Sequence, residues 1–83
     1  MKKIILGIQI TNRTTKAMEV QKIFSKYGCN IKTRLGLHEV NENVCSPSGL
    51  VLLEMFGQEE EILRMEEELK AIEGIMVQKM IFG

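Results

Sequence analysis

The spacing of the apolar residues alternates between two periods along the chain, and this alternation limits the folds available to it. In Lys3–Ile10 the even positions are all apolar, a period of two that predicts a strand with one buried face. The following stretch spaces its apolar residues by three and four, which predicts an amphipathic helix; these residues are Ala17, Val20, Ile23, Phe24 and Tyr27. We expect Gly28 to end this helix, because a glycine adopts the left-handed conformation at little cost.

The middle of the chain predicts two strands joined by an irregular segment. Residues 31–38 are mostly apolar at odd positions, which indicates a strand with one wetter face. Residues 39–49 contain the only proline, Pro47, and two asparagines, and therefore predict a loop or a wide hairpin connection. Residues 50–56 are almost continuously apolar, as expected for a central strand that is covered on both faces.

The last third predicts a helix and a final strand. Residues 59–73 carry an apolar stripe at Ile62, Met65, Leu69 and Ile72, Gly74 closes the helix, and Ile75–Phe82 forms the strand. The order is strand, helix, strand, strand, helix, strand. With right-handed crossovers it predicts an α+β, ferredoxin-like βαββαβ sandwich, a four-stranded antiparallel sheet with both helices on one face. At 83 residues the chain has material for a single domain over residues 1–83.

Two helices can cover only one face of such a sheet, and the other face is not polar. The last strand offers Met76, Met80 and Phe82 in one parity and Ile75, Val77 and Ile81 in the other. Soluble proteins rarely leave a patch of this kind in water. We therefore expect a homo-oligomer, a dimer or a tetramer, that buries the second face or pairs sheet edges. The alternative is that the segment 39–49 folds back over it.

Composition excludes several function classes. All eleven acidic residues are Glu, so Asp-rich calcium and magnesium loops are ruled out, and no glycine-rich phosphate motif occurs. One histidine without any Asp leaves little material for a hydrolytic triad, and we expect no enzymatic activity. The net charge is zero and the six elements leave no helix-turn-helix, so direct nucleic-acid binding is not expected. No apolar run reaches the roughly 20 residues of a membrane span, and a cytoplasmic location is expected.

A candidate ligand site lies where the first strand meets the first helix. Thr11, Asn12, Arg13 and Thr14 occupy this turn. Free N–H groups at a helix start attract an anion or a carboxylate, to which an amide and a guanidinium can add further hydrogen bonds. Capping and turn formation need the same residue types, with a threonine as the cap and Glu19 as an early-turn acid. Both interpretations stay open.

His38 and Cys45 flank the irregular segment and form a candidate metal site. Two ligands from each chain become four when two subunits contribute, so a transition metal is the one cofactor that we consider. Alternatively, the cysteine is a small buried hydrophobe and the histidine simply a polar strand end. The four methionines Met55, Met65, Met76 and Met80 predict packing and not a cofactor site. Residues 66–68, all Glu, predict a solvated helix surface, with Glu66 and Lys70 spaced to pair.

Several of these residues carry a family resemblance. Thr11-Asn12-Arg13 after the first strand, followed by Tyr27-Gly28-Cys29-Asn30-Ile31 after the helix, resembles the opening of ACT regulatory domains. Ligand-binding members usually continue with proline and glycine after the arginine, and the glycine allows close approach of the backbone to the ligand. Here Thr14 and Thr15 stand in those positions.

Over the whole chain the sequence resembles the small ACT-like regulators of the iron-only hydrogenase system. Residues 33–38 (TRLGLH) and 45–50 (CSPSGL) carry most of this resemblance. It implies a regulatory or accessory role in anaerobic metabolism, exerted through a small-molecule effector or a protein partner. The fold is also similar to the metal-binding domain of nickel-responsive repressors, where histidine and cysteine on the second and third strands bind metal. His38 and Cys45 lie in comparable places, whereas the accompanying histidines are absent.

Overall fold

The computed structural model of the protein describes residues 2–10, 13–40 and 45–83, and for residues 13–15, 37–40 and 45–48 it describes the backbone alone. The elements follow the predicted order and are β1 (Lys3–Ile10), α1 (Arg13–Lys26), β2 (Ile31–Val40), β3 (Cys45–Met55), α2 (Glu59–Lys70) and β4 (Ile75–Phe82). All strand pairings are antiparallel, and the order across the sheet is β2-β3-β1-β4. The predicted ferredoxin-like α+β sandwich is confirmed.

The alternation in β1 determines which side of the sheet carries the helices. Its even residues are all buried and lie in one core with apolar side chains from both helices: Ile4, Leu6, Ile8, Ile10, Val20, Phe24, Ile62, Met65 and Leu69. Their cross-strand partners share this side, and among them Leu53 is fully buried. We call this side the helix face. The side that carries the odd residues of β1 is covered by neither α1 nor α2, and we call it the open face.

The described residues of the segment 39–49 are strand, so the prediction of a loop was wrong, whereas the alternative of a hairpin connection agrees with the antiparallel pairing of β2 and β3. β2 continues to Val40, and β3 begins at Cys45. Pro47 is accommodated because β1 ends at Ile10, which pairs with Gly49, so that no strand of the described residues pairs with β3 on that side before Gly49. A residue without an N–H donor is tolerated at such an edge. The residues that join β2 to β3 lie outside the described part of the chain, so the alternative that this segment folds back over the open face is not tested.

A register shift near the start of β2 redirects its side chains. It falls between Ile31, which pairs with Met55, and Thr33, which pairs with Glu54. After it, Leu35 lies opposite Leu52 on the open face, although Ile31 belongs to the helix face. The odd apolar residues of β2 therefore do not form the single apolar face that their spacing predicts, because one extra residue reverses the parity of a strand.

The helix ends also differ from expectation. α1 ends at Lys26 and is followed by a 3₁₀ turn over Gly28–Asn30, and Gly28 does not adopt a positive φ. α2 ends at Lys70, so Ile72 packs against the core from the turn that follows it. Gly57 and Gly74, with φ of 101° and 86°, form the turns before α2 and before β4. Both are left-handed positions that favour glycine.

Candidate functional site

The turn between β1 and α1 is the first candidate site. Thr11 and Asn12 lie outside the described residues, and Arg13 and Thr14 are described by their backbone as the first residues of α1. The helix therefore starts earlier than expected, and Thr14 lies inside its first turn instead of capping it. Glu19 is likewise beyond the first turn, which contains no acidic residue, and lies 3.7 Å from Lys16. The partial positive charge at the start of α1 is therefore not offset by a carboxylate in the first turn of the helix.

The strand register brings both sequence-predicted sites to the same end of the sheet. His38 pairs with Gly49, Gly49 pairs with Ile10, and Ile10 pairs with Ile75, so these residues form one continuous row across four strands. Ile10, Gly49 and Ile75 are buried on the helix face. Ile10 is also the last residue before the turn that leads into α1. The backbone of His38 and the start of α1 therefore border the same end of the helix face.

Cys45 lies further along the same hairpin. It pairs with Val40, two residues beyond His38, and a second register irregularity separates the His38 and Val40 pairs. The two candidate metal ligands thus belong to neighbouring strands, about two residues apart along the strand direction. Among the residues whose side chains are described, no group of three or more His, Cys, Asp or Glu is placed to hold a metal ion. Cys29, the other thiol, is exposed in the turn after α1.

The open face is apolar along much of its surface, as the sequence predicts. β2 and β3 contribute the exposed Leu35 and Leu50, and β4 contributes Met76, Met80 and Phe82, each about half exposed. Met76 and Met80 are therefore not core residues, so the prediction that all four methionines pack inside was wrong for these two. Met55 and Met65 are buried as predicted. The expectation that β3 is covered on both faces also fails within one chain, since Leu50 is 38% exposed.

One carboxylate interrupts the open face. Glu54 of β3 accepts a hydrogen bond of 3.0 Å from the Thr33 hydroxyl, and the ammonium groups of Lys3 and Lys32 lie 3.2 and 4.0 Å away. The Thr33 hydrogen bond and, next, that of Lys3 hold the pKa of Glu54 below its usual range. The carboxylate of Glu54 is therefore paired within this cluster, which keeps one excess positive charge.

Two carboxylates of α2 are structural, which the sequence did not predict. Glu66 is only 3% exposed and its oxygens lie 2.8 Å from the Lys79 ammonium and 3.3 Å from that of Lys70. Burial raises its pKa, but the hydrogen bonds from Lys79 and Lys70 outweigh this and hold the pKa below the usual value. The Lys70 pair was predicted from spacing; the contact with Lys79 depends on how α2 lies over β4.

Glu68 joins the two helices. It accepts hydrogen bonds from the hydroxyl of Tyr27 and, at 3.0 Å, from the ammonium of Lys26. The hydrogen bond from Tyr27 and, next, that from Lys26 lower the pKa of Glu68. The hydrogen bond to Glu68 raises the pKa of Tyr27. Tyr27 and Phe24 are buried as predicted. The interpretation of residues 66–68 as a solvated surface was wrong for the buried Glu66 and holds for the exposed Glu67, while Glu68 is partly exposed.

A shallow groove runs along the outer side of α1. Its volume is about 420 Å³, and its described lining residues are Ala17, Met18, Gln21, Lys22 and Ser25. Gln21 at its border accepts a hydrogen bond of 3.4 Å from Arg34 of β2. The Arg34 guanidinium also lies over the Phe24 ring, 4.9 Å from the centroid, and so ties α1 to β2.

Comparison with solved structures identifies proteins of similar fold. The structure is similar to that of the uncharacterized protein TM1266 from Thermotoga maritima, with a TM-score of 0.84 and 20% identity over the full length of both chains. It is also similar to CPII, a nitrogen regulatory PII-like protein from Thiomonas intermedia K12. The complex of CPII with ADP, AMP and bicarbonate has a TM-score of 0.58 and 13% identity, covering 100% of this chain and 94% of the other.

The apo form of CPII gives a TM-score of 0.67 at 11% identity, covering 99% of this chain and 90% of the other. At these identities the likeness concerns the fold. Searches of family models and of curated proteins gave no match. In the described residues no helix is long and apolar enough to span a membrane.

Proposed function

We propose that the protein is a non-enzymatic regulatory module that senses a small anionic ligand and acts as a homo-oligomer. The observation that carries this proposal is the row of paired residues His38–Gly49–Ile10–Ile75. Ile10 is the last residue of β1, so this row borders the turn from which α1 starts. α1 is 14 residues long, and its N–H groups and dipole favour an anion at this end.

The chemistry of the turn favours a carboxylate or phosphate group. Asn12 supplies an amide and Arg13 a guanidinium that can hydrogen-bond two oxygens at once. CPII, whose fold is similar, has been solved with ADP, AMP and bicarbonate, all of them anions. These three compounds and the amino acids, which the ACT resemblance implies, are the first ligands to test. A cytoplasmic role in regulating the iron-only hydrogenase system, with a protein partner, is the biological setting that we propose from the sequence resemblance.

The test is a thermal-stability screen of the purified protein against these ligands. A ligand that binds the folded state raises Tm, and above Kd the rise grows with the logarithm of the ligand concentration. Arg13→Ala and Asn12→Ala should abolish the shift, whereas Lys22→Ala, a matched loss of one cation on the same helix, should leave it intact. A ligand whose shift is unaffected by Arg13→Ala and Asn12→Ala would contradict this site.

The alternative function is a metal or redox sensor that uses His38 and Cys45 across a subunit interface. The hairpin register supports it, since both residues lie on adjacent strands of the same β2–β3 pair. The test is titration of the protein with zinc or nickel under native mass spectrometry. His38→Ala and Cys45→Ala should each abolish uptake, and Cys29→Ala, which removes a thiol elsewhere, should not. Absence of uptake at micromolar metal would exclude this alternative.

A further inference from the structure

The two edge strands of the sheet differ in how well they are protected against pairing with a strand of another chain. β2, at one edge, has two register irregularities and three charged residues, Lys32, Arg34 and Glu39. Such bulges and charges are the usual devices that prevent a strand edge from pairing with another chain. β4, at the opposite edge, pairs with β1 from Ile75 to Phe82 without any shift, and its one charged residue is Lys79.

Lys79 does not protect the β4 edge. Its ammonium group lies 2.8 Å from the Glu66 carboxylate of α2, which is almost fully buried. The one charge of β4 is thereby drawn inward onto the helix layer and neutralised. No strand of the described chain lies on the outer side of β4, so the amide and carbonyl groups directed that way form a regular row.

Exposed apolar side chains occur on both sides of this strand. Met76 and Met80, on the open face, are 56% and 51% exposed. Ile81 pairs with the buried Ile4 and so belongs to the helix face, yet it is 46% exposed. Packing a partner on the open face would cover the methionines and leave Ile81 in water. Adding a strand beside β4 covers all three, because a neighbouring strand presents side chains to both faces.

We infer that β4 pairs with β4 of a second copy of this chain, antiparallel about a two-fold axis at Gln78, to form a continuous eight-stranded sheet. This register places Met80 opposite Met76 on one face and Ile81 opposite Ile75 on the other. Gln78 then faces its own symmetry mate, and two amides can hydrogen-bond there. Centring the pair on Lys79 would instead place two ammonium groups opposite each other, which is unfavourable. The sequence of β4 is therefore self-complementary in one register.

This inference specifies the surface of the homo-oligomer in the proposed function. It is tested by sedimentation equilibrium of the full chain, with Gln78→Lys as the disrupting variant and Gln9→Lys as the matched control. Both glutamines are on the open face, but Gln9 lies on the interior strand β1, opposite Met76. The wild type should dimerise with concentration. Gln78→Lys should weaken the dimer roughly tenfold or more by placing like charges at the axis, and Gln9→Lys should leave it unchanged.

A second measurement separates edge pairing from packing of the open faces. Hydrogen exchange followed by NMR should show alternate amides of β4, those directed away from β1, becoming protected as the dimer forms. A monomer at all concentrations, equal weakening by both variants, or dimerisation without protection of these amides would each overturn the inference. A ligand-induced rise in Tm that persists in such a protein would leave the sensing proposal standing, so the two can fail separately.

Discussion

Tyr27 donates its hydroxyl hydrogen to the carboxylate of Glu68, and this bond joins the end of α1 to the last turn of α2. The tyrosine is buried in the core, and its hydroxyl reaches the partly exposed carboxylate of Glu68. The Lys26 ammonium lies 3.0 Å from the same carboxylate and 5.4 Å from the centroid of the ring. The residue that ends the apolar stripe of α1 therefore also fixes the position of the second helix.

Replacing this tyrosine should loosen the contact between the helices. Tyr27→Phe keeps the ring in the core and removes the bond to Glu68, so the protein should unfold at a lower urea concentration. The pKa of Glu68 should move up toward its usual value, because the charged carboxylate loses the hydrogen bond from the Tyr27 hydroxyl. NMR titration of the Glu68 side chain measures this. Lys26→Ala, which removes a hydrogen bond and a positive charge from the same carboxylate, should also raise this pKa. An unchanged pKa in either variant would contradict the corresponding contact.

The buried carboxylate of α2 gives a second prediction. Glu66→Gln keeps the shape but removes the charge that holds Lys70 and Lys79, and should cost about 1–2 kcal/mol in the free energy of unfolding. Glu67→Gln is the matched control, since Glu67 is the exposed neighbour on the same helix, and should change stability by less than about 0.5 kcal/mol. Urea denaturation of both variants measures these changes in the free energy of unfolding. Equal effects would show that the burial of Glu66 contributes nothing.

The turn before α2 requires a glycine. Gly57 has a φ of 101°, and a Cβ there would lie 2.9 Å from the Asn30 side-chain nitrogen, which donates a 3.1 Å hydrogen bond to the Phe56 carbonyl. Gly57→Ala should therefore destabilise the protein by about 1–3 kcal/mol, through backbone strain and displacement of Asn30. Gly36→Ala is the control, because a Cβ at Gly36 meets no atom within 4 Å. A thermal melt in which both variants match the wild type would refute the requirement.

Acid should destabilise the fold through three carboxylates. The pKa values of Glu54, Glu66 and Glu68 are all lowered in the folded chain, so the unfolded chain binds protons first as the pH falls. Their contribution is complete at neutral pH and is lost progressively below about pH 5, where the unfolded carboxyls begin to protonate. Urea unfolding measured from pH 7 down to pH 3 tests this. Glu66→Gln should lose less stability than the wild type over that range, and an identical pH dependence would exclude Glu66 as a contributor.

The strands and helices could be predicted because their patterns are local. The alternation in β1 and the apolar stripe of α2 depend on neighbours within a few residues, so the order of elements and the ferredoxin-like fold follow from them. Residues 39–49 were misjudged because proline and asparagine usually mark loops, whereas Pro47 lies where β3 extends past the end of β1. A proline is tolerated in a strand where no neighbouring strand needs its N–H group. The spacing of apolar residues does not show which strands are neighbours.

Of the candidate sites, the sequence indicated which residues carry suitable chemistry but not how they are arranged. Asn12, Arg13, His38 and Cys45 were recognisable from residue type and from their positions next to predicted turns. The row that brings His38 to the end of β1 depends on the register of three strand pairs. Register is a long-range property, since a shift of one residue reverses every side chain of a strand.

The sequence by itself determined the fold class, the core faces of β1 and of the two helices, and the surplus of apolar side chains that two helices cannot cover. Only the tertiary structure decided which charges lie inside and which edge is open. Glu66 of α2 is buried where it pairs with Lys79 of β4. Because this pair engages the one charged side chain of β4, the edge strand has no free charge along it. Periodicity assigns a residue to a face of its own element, whereas burial and pairing are set by the element packed against it.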